Sequence, residues 1–480
     1  MDKQSGKDKR NIIMITNANK SQKLHIKKQS IKLIVGIILY RLSLVFAFFA
    51  FVLVYYKDNY YVSVNLATFV ISYLMFVISV FFTARMLKCR ANYMSGQLFL
   101  LAYLFSYVPS TVLCSYMWNN IVYTVVSSLF WILTMLILSF KSCRVKNTEF
   151  KLFSSISPNS RTKLFKILTF TILLVVLLVI YSYNKFKFSF SFSALYDVRA
   201  EMKSTISTLQ GLVFFCAATI ISPILIGIFC KKRKYICLLL VCVLQILLFL
   251  VGGDKFYILI CGVGIILAIF YKKKYIFIIP LVFAVIIGLS TVFIALTNGT
   301  FFENWIYDIG VRRVLFTPAY LNYFYFDFSQ FSPKILFTDH QVLSRILVKI
   351  FNVDIPYDDM VIADKLGLFY WNETGKSNGG FGNAFAQVGY MCLVIYPVLY
   401  LLIGNIFDKI TVNMDVKVYM PLVASLTIYL LDYSISGIEI THILFAFILY
   451  GLSYSYLSEN IKQKHRRRYE KKCIMVNSRS

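Results

Sequence analysis

Long apolar runs, interrupted by short and mostly basic polar turns, set the pattern of this chain. Runs at 33–56, 61–83, 97–117, 121–140, 167–183, 210–230, 235–251, 256–271, 275–296, 383–404, 418–433 and 441–457 approach the roughly 20 residues that a helix needs to cross a bilayer core. They predict an all-α polytopic membrane protein with about twelve transmembrane helices. Within 97–140, the polar-aromatic stretch Trp118-Asn119-Asn120 is the expected tip of a hairpin between two spans. The chain divides into a basic N-terminal arm (1–32), nine spans (33–296), one long loop (297–382), three more spans (383–457) and a basic tail (458–480).

The loop 297–382 breaks the pattern. Connections above roughly 15 residues are usually functional or disordered. This one is rich in Phe, Tyr, Trp and Ile, whereas disordered segments lack aromatics. Between Trp305 and Phe331 aromatic and polar residues interleave as in a helix lying in an interface. An ordered, partly helical cap over one mouth of the bundle is expected.

Composition agrees with a lipid-solvated chain. Of 480 residues, 59% are hydrophobic and only 15% charged, against about 25% charged in an average soluble domain. The net charge of +28 does not indicate nucleic acid, because Lys and Arg sit in clusters beside apolar runs, where they orient a membrane protein. With the N-terminus inside, 36 Lys and Arg fall in cytoplasmic segments and six in short outer ones. Both termini are therefore expected in the cytoplasm and the loop 297–382 outside. The first 32 residues carry nine Lys and Arg and no cleavage site of a signal peptide. The ten Cys lie outside the long loop and lack metal-ligand spacing, and there are four His, so neither a disulfide framework nor a metal site is expected. No Gly-rich nucleotide loop ending in Gly-Lys-Ser/Thr occurs. Asn298-Gly299-Thr300 and Asn372-Glu373-Thr374 match the glycosylation sequon.

Ionisable residues at a membrane face are functional candidates by default. Gly252-Gly253-Asp254-Lys255 forms a tight outer turn between two spans; Asp254 and Lys255 either point into an outer cavity or form an ordinary polar hairpin tip. Arg312 and Arg313, followed by Tyr320, Tyr323 and Tyr325, combine forks suited to phosphate oxygens with rings and hydroxyls suited to sugars. Their bland alternative is snorkelling to lipid headgroups. His340, in Thr338-Asp339-His340-Gln341, is the one histidine of the loop and a candidate general base. His442 and Glu439 flank the last span, and Arg41 is the clearest charge within a span. Asn383 and Gln387, four apart in the Gly-rich segment that closes the loop, share one helical face.

Three motifs in this order resemble a family. Gly252-Gly253-Asp254-Lys255 opens a middle span, Arg312-Arg313-Val314-Leu315-Phe316-Thr317-Pro318-Ala319-Tyr320 begins the long loop, and Gly380-Phe381-Gly382-Asn383-Ala384-Phe385-Ala386-Gln387-Val388-Gly389-Tyr390 leads into a span. Over about residues 250–405 the chain resembles the bacterial oligosaccharide-repeat-unit polymerases of the Wzy type, which build O-antigen and capsule chains. It departs from them at Lys255, where members often carry Arg. The resemblance implies a metal-independent, cofactor-free glycosyltransferase of the polytopic, lipid-linked-sugar class in the bacterial cytoplasmic membrane. It would move a growing glycan from undecaprenyl pyrophosphate onto a newly flipped, lipid-linked repeat unit. Its partners would be the lipid-linked oligosaccharide, membrane lipid, and the flippase and chain-length regulator of the same pathway. On that reading Arg312 and Arg313 neutralise the pyrophosphate leaving group, and His340 or Asp339 is the candidate base. Tyr320, Tyr323 and Asn383 contact sugar, with Asp254 and Lys255 at the substrate. A ligase for finished chains shares the long loop. A flippase or transporter would instead carry charges buried mid-span, and a sensor or scaffold would need none of these residues.

Overall fold

A computed structural model describes residues 28–140, 153, 155–184, 202, 205–297, 307–337, 361–373, 375–432 and 442–457. The described residues are predominantly helical and include no strand. The helices are α1 (Lys28–Tyr55), α2 (Leu66–Arg90), α3 (Met94–Tyr116), α4 (Ile121–Ser139), α5 (Pro158–Tyr183), α6 (Leu209–Lys232), α7 (Tyr235–Gly252), α8 (Lys255–Phe270) and α9 (Ile279–Leu296). There follow α10, a π-helical turn Asp308–Phe316 continued as Thr317–Phe331, then α11 (Ile362–Trp371), α12 (Gly380–Val388), α13 (Cys392–Thr411), α14 (Val416–Asp432) and α15 (His442–Leu457).

Nine helical stretches among the described residues are long and apolar enough to cross a membrane: α1 to α7, α9 and the run Gly380–Thr411. The remaining three predicted runs also form helices, α8 (16 residues), α14 (17 residues) and α15, but these are shorter. The hairpin at Trp118–Asn120 is present, and the Asn120 side chain accepts from the Tyr123 amide at 2.9 Å to cap α4.

The helices differ in what they face. α3 is almost wholly buried, whereas α2, α5 and α9 present rows of exposed Leu, Ile, Val and Phe. Rows of exposed apolar side chains on helices of spanning length mark a membrane-facing surface. The interior is stapled by polar side chains that serve π-helical turns. Such a turn shifts the backbone register and leaves carbonyls short of partners. In α6, the turn Ala217–Ile221 has the Ala218 carbonyl taken by Gln245 Nε2 at 3.0 Å and the Thr219 carbonyl by Ser425 Oγ at 2.6 Å. In α3, Leu104 in the turn Tyr103–Tyr107 accepts from Tyr40 Oη at 3.2 Å.

Position 383, where the last group of spans was expected to begin, lies inside α12, a buried helix within the apolar run Gly380–Thr411. The helix stops at Gly389, whose φ of +59° only glycine adopts freely. The apolar helix proper starts at Cys392.

Candidate functional site

α10 carries both arginines of the sequence motif, within its π-helical turn. The turn sets Asp308, Arg312 and Arg313 side by side. Arg312 grips both carboxylate oxygens of Asp308, Nε on Oδ1 and Nη2 on Oδ2 at 3.0 Å. Arg313 Nε donates to Oδ2 at 3.2 Å. The Arg312 guanidinium lies 4.1 Å from the centre of the Tyr56 ring, with the Tyr56 hydroxyl near the Asp308 carboxylate.

The electrostatics follow from this geometry. Burial by itself would raise the Asp308 pKa, but the bonds from Arg312, the nearby Tyr56 hydroxyl and the charges of Arg312 and Arg313 hold it below the usual carboxylate range. Burial would lower the Arg312 pKa, yet the Asp308 carboxylate raises it. One carboxylate serves two guanidiniums, so the cluster keeps an excess positive charge. The surplus is presented by Arg313: its side chain is 50% exposed, against 18% for Arg312 and 9% for Asp308. Among the described residues, only its Nε is engaged, leaving the outer nitrogens for an anion.

Around the cluster stands an aromatic wall. Phe51 and Phe48 of α1 pack against Tyr307 and Phe316, with ring centres 4.5 and 5.8 Å apart. Tyr60, on the α1–α2 connection, meets Tyr320 at 5.0 Å. Trp118, from the α3–α4 tip, stacks on Tyr323 at 4.1 Å with planes 9° apart, and touches Tyr320 at 5.6 Å. Burial pushes the Tyr320 pKa up to about 12 and also raises that of Tyr323. Both hydroxyls are therefore neutral hydrogen-bonding groups.

Arg312 and Arg313 share Asp308, while Tyr320 and Tyr323 lie further along the same helix, packed on Tyr60 and Trp118. The other described candidates lie on other elements. Asp254 caps α8, its Oδ1 accepting from the Phe256 amide at 3.1 Å, after Gly253 at φ +62°. That turn adjoins Met202 and Tyr257, in a second core cluster with α5, α6 and α7, and Lys255 begins the helix it caps. Asn383 is buried in α12 and accepts from Gln387 Nε2 at 3.2 Å, so the shared face is real but packed inward. Beside it, Asn322 Oδ1 of α10 accepts from the Gly382 amide at 2.7 Å and from Asn378 Nδ2 at 3.1 Å. A Cβ on Gly382 would come within 2.9 Å of that oxygen, which explains the glycine by close approach. His340, with Asp339, lies outside the described residues.

Sequence reasoning missed Asp308, although its spacing of four from Arg312 is a helical ion-pair signal. It also missed a buried ion pair. Arg90, at the end of α2, donates through Nη1 to Asp408 Oδ2 at 2.9 Å, and both side chains are 0% exposed. Arg90 also bonds the Leu138 carbonyl, Ser95 Oγ and Asn405 Oδ1, while Asp408 accepts from the Ser95 amide and hydroxyl. Arg41, buried in α1, bonds Thr111 and Ser115 and lies 3.7 Å above the Tyr73 ring. His442 is buried between Phe215 and Tyr429, with both nitrogens lacking a partner among the described residues.

Among the described residues, no cluster of three or more His, Cys, Asp or Glu is arranged to hold a metal. No protein-family profile matches the chain, and no curated protein or solved structure is significantly similar to it.

Proposed function

We propose that this protein is a membrane glycosyltransferase that polymerises lipid-linked oligosaccharide repeat units, with the Arg312–Arg313–Asp308 cluster receiving the pyrophosphate of the donor. The observation that carries the reading is the half-exposed Arg313 guanidinium, left with surplus charge by a carboxylate that Arg312 already holds bidentately. A leaving pyrophosphate gains charge during transfer, and a preorganised arginine stabilises it where it develops. The aromatic wall of Tyr60, Tyr320, Tyr323 and Trp118 beside it suits sugar rings. On this reading all twelve apolar helices span the bacterial cytoplasmic membrane, both termini are cytoplasmic and α10 lies on the outer side. The substrate is an undecaprenyl-pyrophosphate-linked oligosaccharide reached through membrane lipid, and the flippase and chain-length regulator of the pathway are its working partners.

A flippase or transporter is the second reading, favoured by the charges buried in the bundle at Arg41, Arg90 and Asp408. These groups are engaged by hydrogen bonds within the protein, which fits structural staples better than a substrate path.

Mass spectrometry of carrier-linked glycans in cells lacking the protein separates the readings. A polymerase leaves single repeat units that still reach the outer face. Units trapped on the cytoplasmic face would identify a flippase, and long carrier-linked polymer a ligase; either would overturn the proposal. Labelling of a cysteine placed at Ser377 from outside intact cells checks the topology, and protection there would reverse it.

A further inference from the structure

We infer that α10 also carries, beyond its arginines, a separate subsite for the hydroxyl-rich sugar portion of the substrate, formed by Tyr320, Phe324 and Asp327 with Tyr370 and Trp371 of α11. The inference rests on the proposed glycosyltransferase reading and deepens it.

Positions 320, 324 and 327 share one face of a helix. Across from them, the Trp371 ring centre lies 4.9 Å from Phe324 and 6.2 Å from Tyr320. Tyr370 Oη donates to Asp327 Oδ2 at 2.5 Å. Asp327 is half-buried, and among the described residues no cation pairs with it. An ionised carboxylate offers about four acceptor positions, and one tyrosine hydroxyl fills one of them. A half-buried carboxylate held by a neutral donor beside indole and phenol faces matches a sugar ring, which has an apolar C–H face and a rim of hydroxyl donors.

Asp327 stands fourteen residues beyond Arg313, about 20 Å along the helix at 1.5 Å per residue. It therefore cannot reach a phosphate held by Arg313. The order of charge along α10 orients the ligand: the cationic start attracts pyrophosphate, and the anionic end repels it while accepting hydroxyls. Tyr60, close to Arg312 and packed on Tyr320, links the two subsites.

Native mass spectrometry of the full-length protein in lipid nanodiscs tests this with two probes. One is bare undecaprenyl pyrophosphate, and the other is carrier-linked repeat unit extracted from cells lacking the protein. Wild type is expected to prefer the glycan-bearing lipid. Asp327→Asn and Tyr370→Phe are each expected to reduce that preference, the former about tenfold, the scale of one charged hydrogen bond, while bare carrier binds as before. Arg313→Lys is expected to weaken both probes alike. An unchanged preference in both the Asp327→Asn and Tyr370→Phe variants, or equal wild-type affinity for the two probes, overturns the sugar subsite. Undiminished binding of bare carrier by Arg313→Lys overturns the underlying pyrophosphate reading instead.

Discussion

Two arginine–aspartate clusters divide the chemistry of this protein between them. At Arg90–Asp408 one guanidinium meets one carboxylate with no exposure to solvent, and Ser95, Asn405 and the Leu138 carbonyl complete the set. At Arg312–Arg313–Asp308 two guanidiniums share one carboxylate, and one of them is half exposed. The first is neutral, closed and tied to four helices. The second holds a charge in surplus at an accessible edge. The same residue types thus serve as a staple where charges balance and burial is complete, and as an anion receptor where neither condition holds. A buried pair by itself adds little net stability, because desolvation offsets the Coulombic gain, but a half-broken one is costly.

The comparison breaks most visibly at Asp408. Asp408→Ala leaves the Arg90 charge buried without its partner and is expected to cost about 3–5 kcal/mol, read as a large fall in Tm of the purified protein. Arg90→Met combined with Asp408→Leu is expected to recover most of that loss. A double variant as unstable as the single one would mean that the pair contributes more than charge balance.

Arg313→Lys sharpens the other side. It keeps the charge but loses the fork, so transfer activity is expected to fall about tenfold or more, the scale of one charged hydrogen bond, with Tm unchanged. Near-normal polymer at normal protein level would reduce Arg313 to a lipid anchor.

The smallest effect concerns pH. The folded-state pKa of Asp308 is held low, so its contribution is present above the ordinary carboxylate pKa of about 4 and is lost as pH falls through the folded value. Asp308→Asn is expected to cost under about 1 kcal/mol at neutral pH, as for partly exposed pairs. The gap in Tm between wild type and this variant should close in acid below about pH 4; a gap constant down to pH 3 would exclude titration of Asp308 as its source.

Hydrophobic length is a local property, so the apolar runs, the hairpin at Trp118–Asn120 and helix over the described part of Trp305–Phe331, Asp308–Phe331, were legible in the sequence. The pairing of Asn383 with Gln387 was legible too, because positions four apart meet on any helix. The limits of α12 were not, since Gly389 could have continued a helix and only its backbone conformation reveals the break. Nor could spacing reveal what lies across the bundle. Arg90 and Asp408 are 318 residues apart, and Trp118 finds Tyr323 only once the α3–α4 tip is packed on α10. The sequence by itself determined a lipid-solvated bundle of helices and the placing of two arginines at the start of an aromatic loop. Tertiary structure alone decided that Asp308 holds them, that Asp254 is a cap and that Asn383 faces inward. The physical reason is that charge balance and burial depend on neighbours brought from distant parts of the chain, and periodicity carries no information about those.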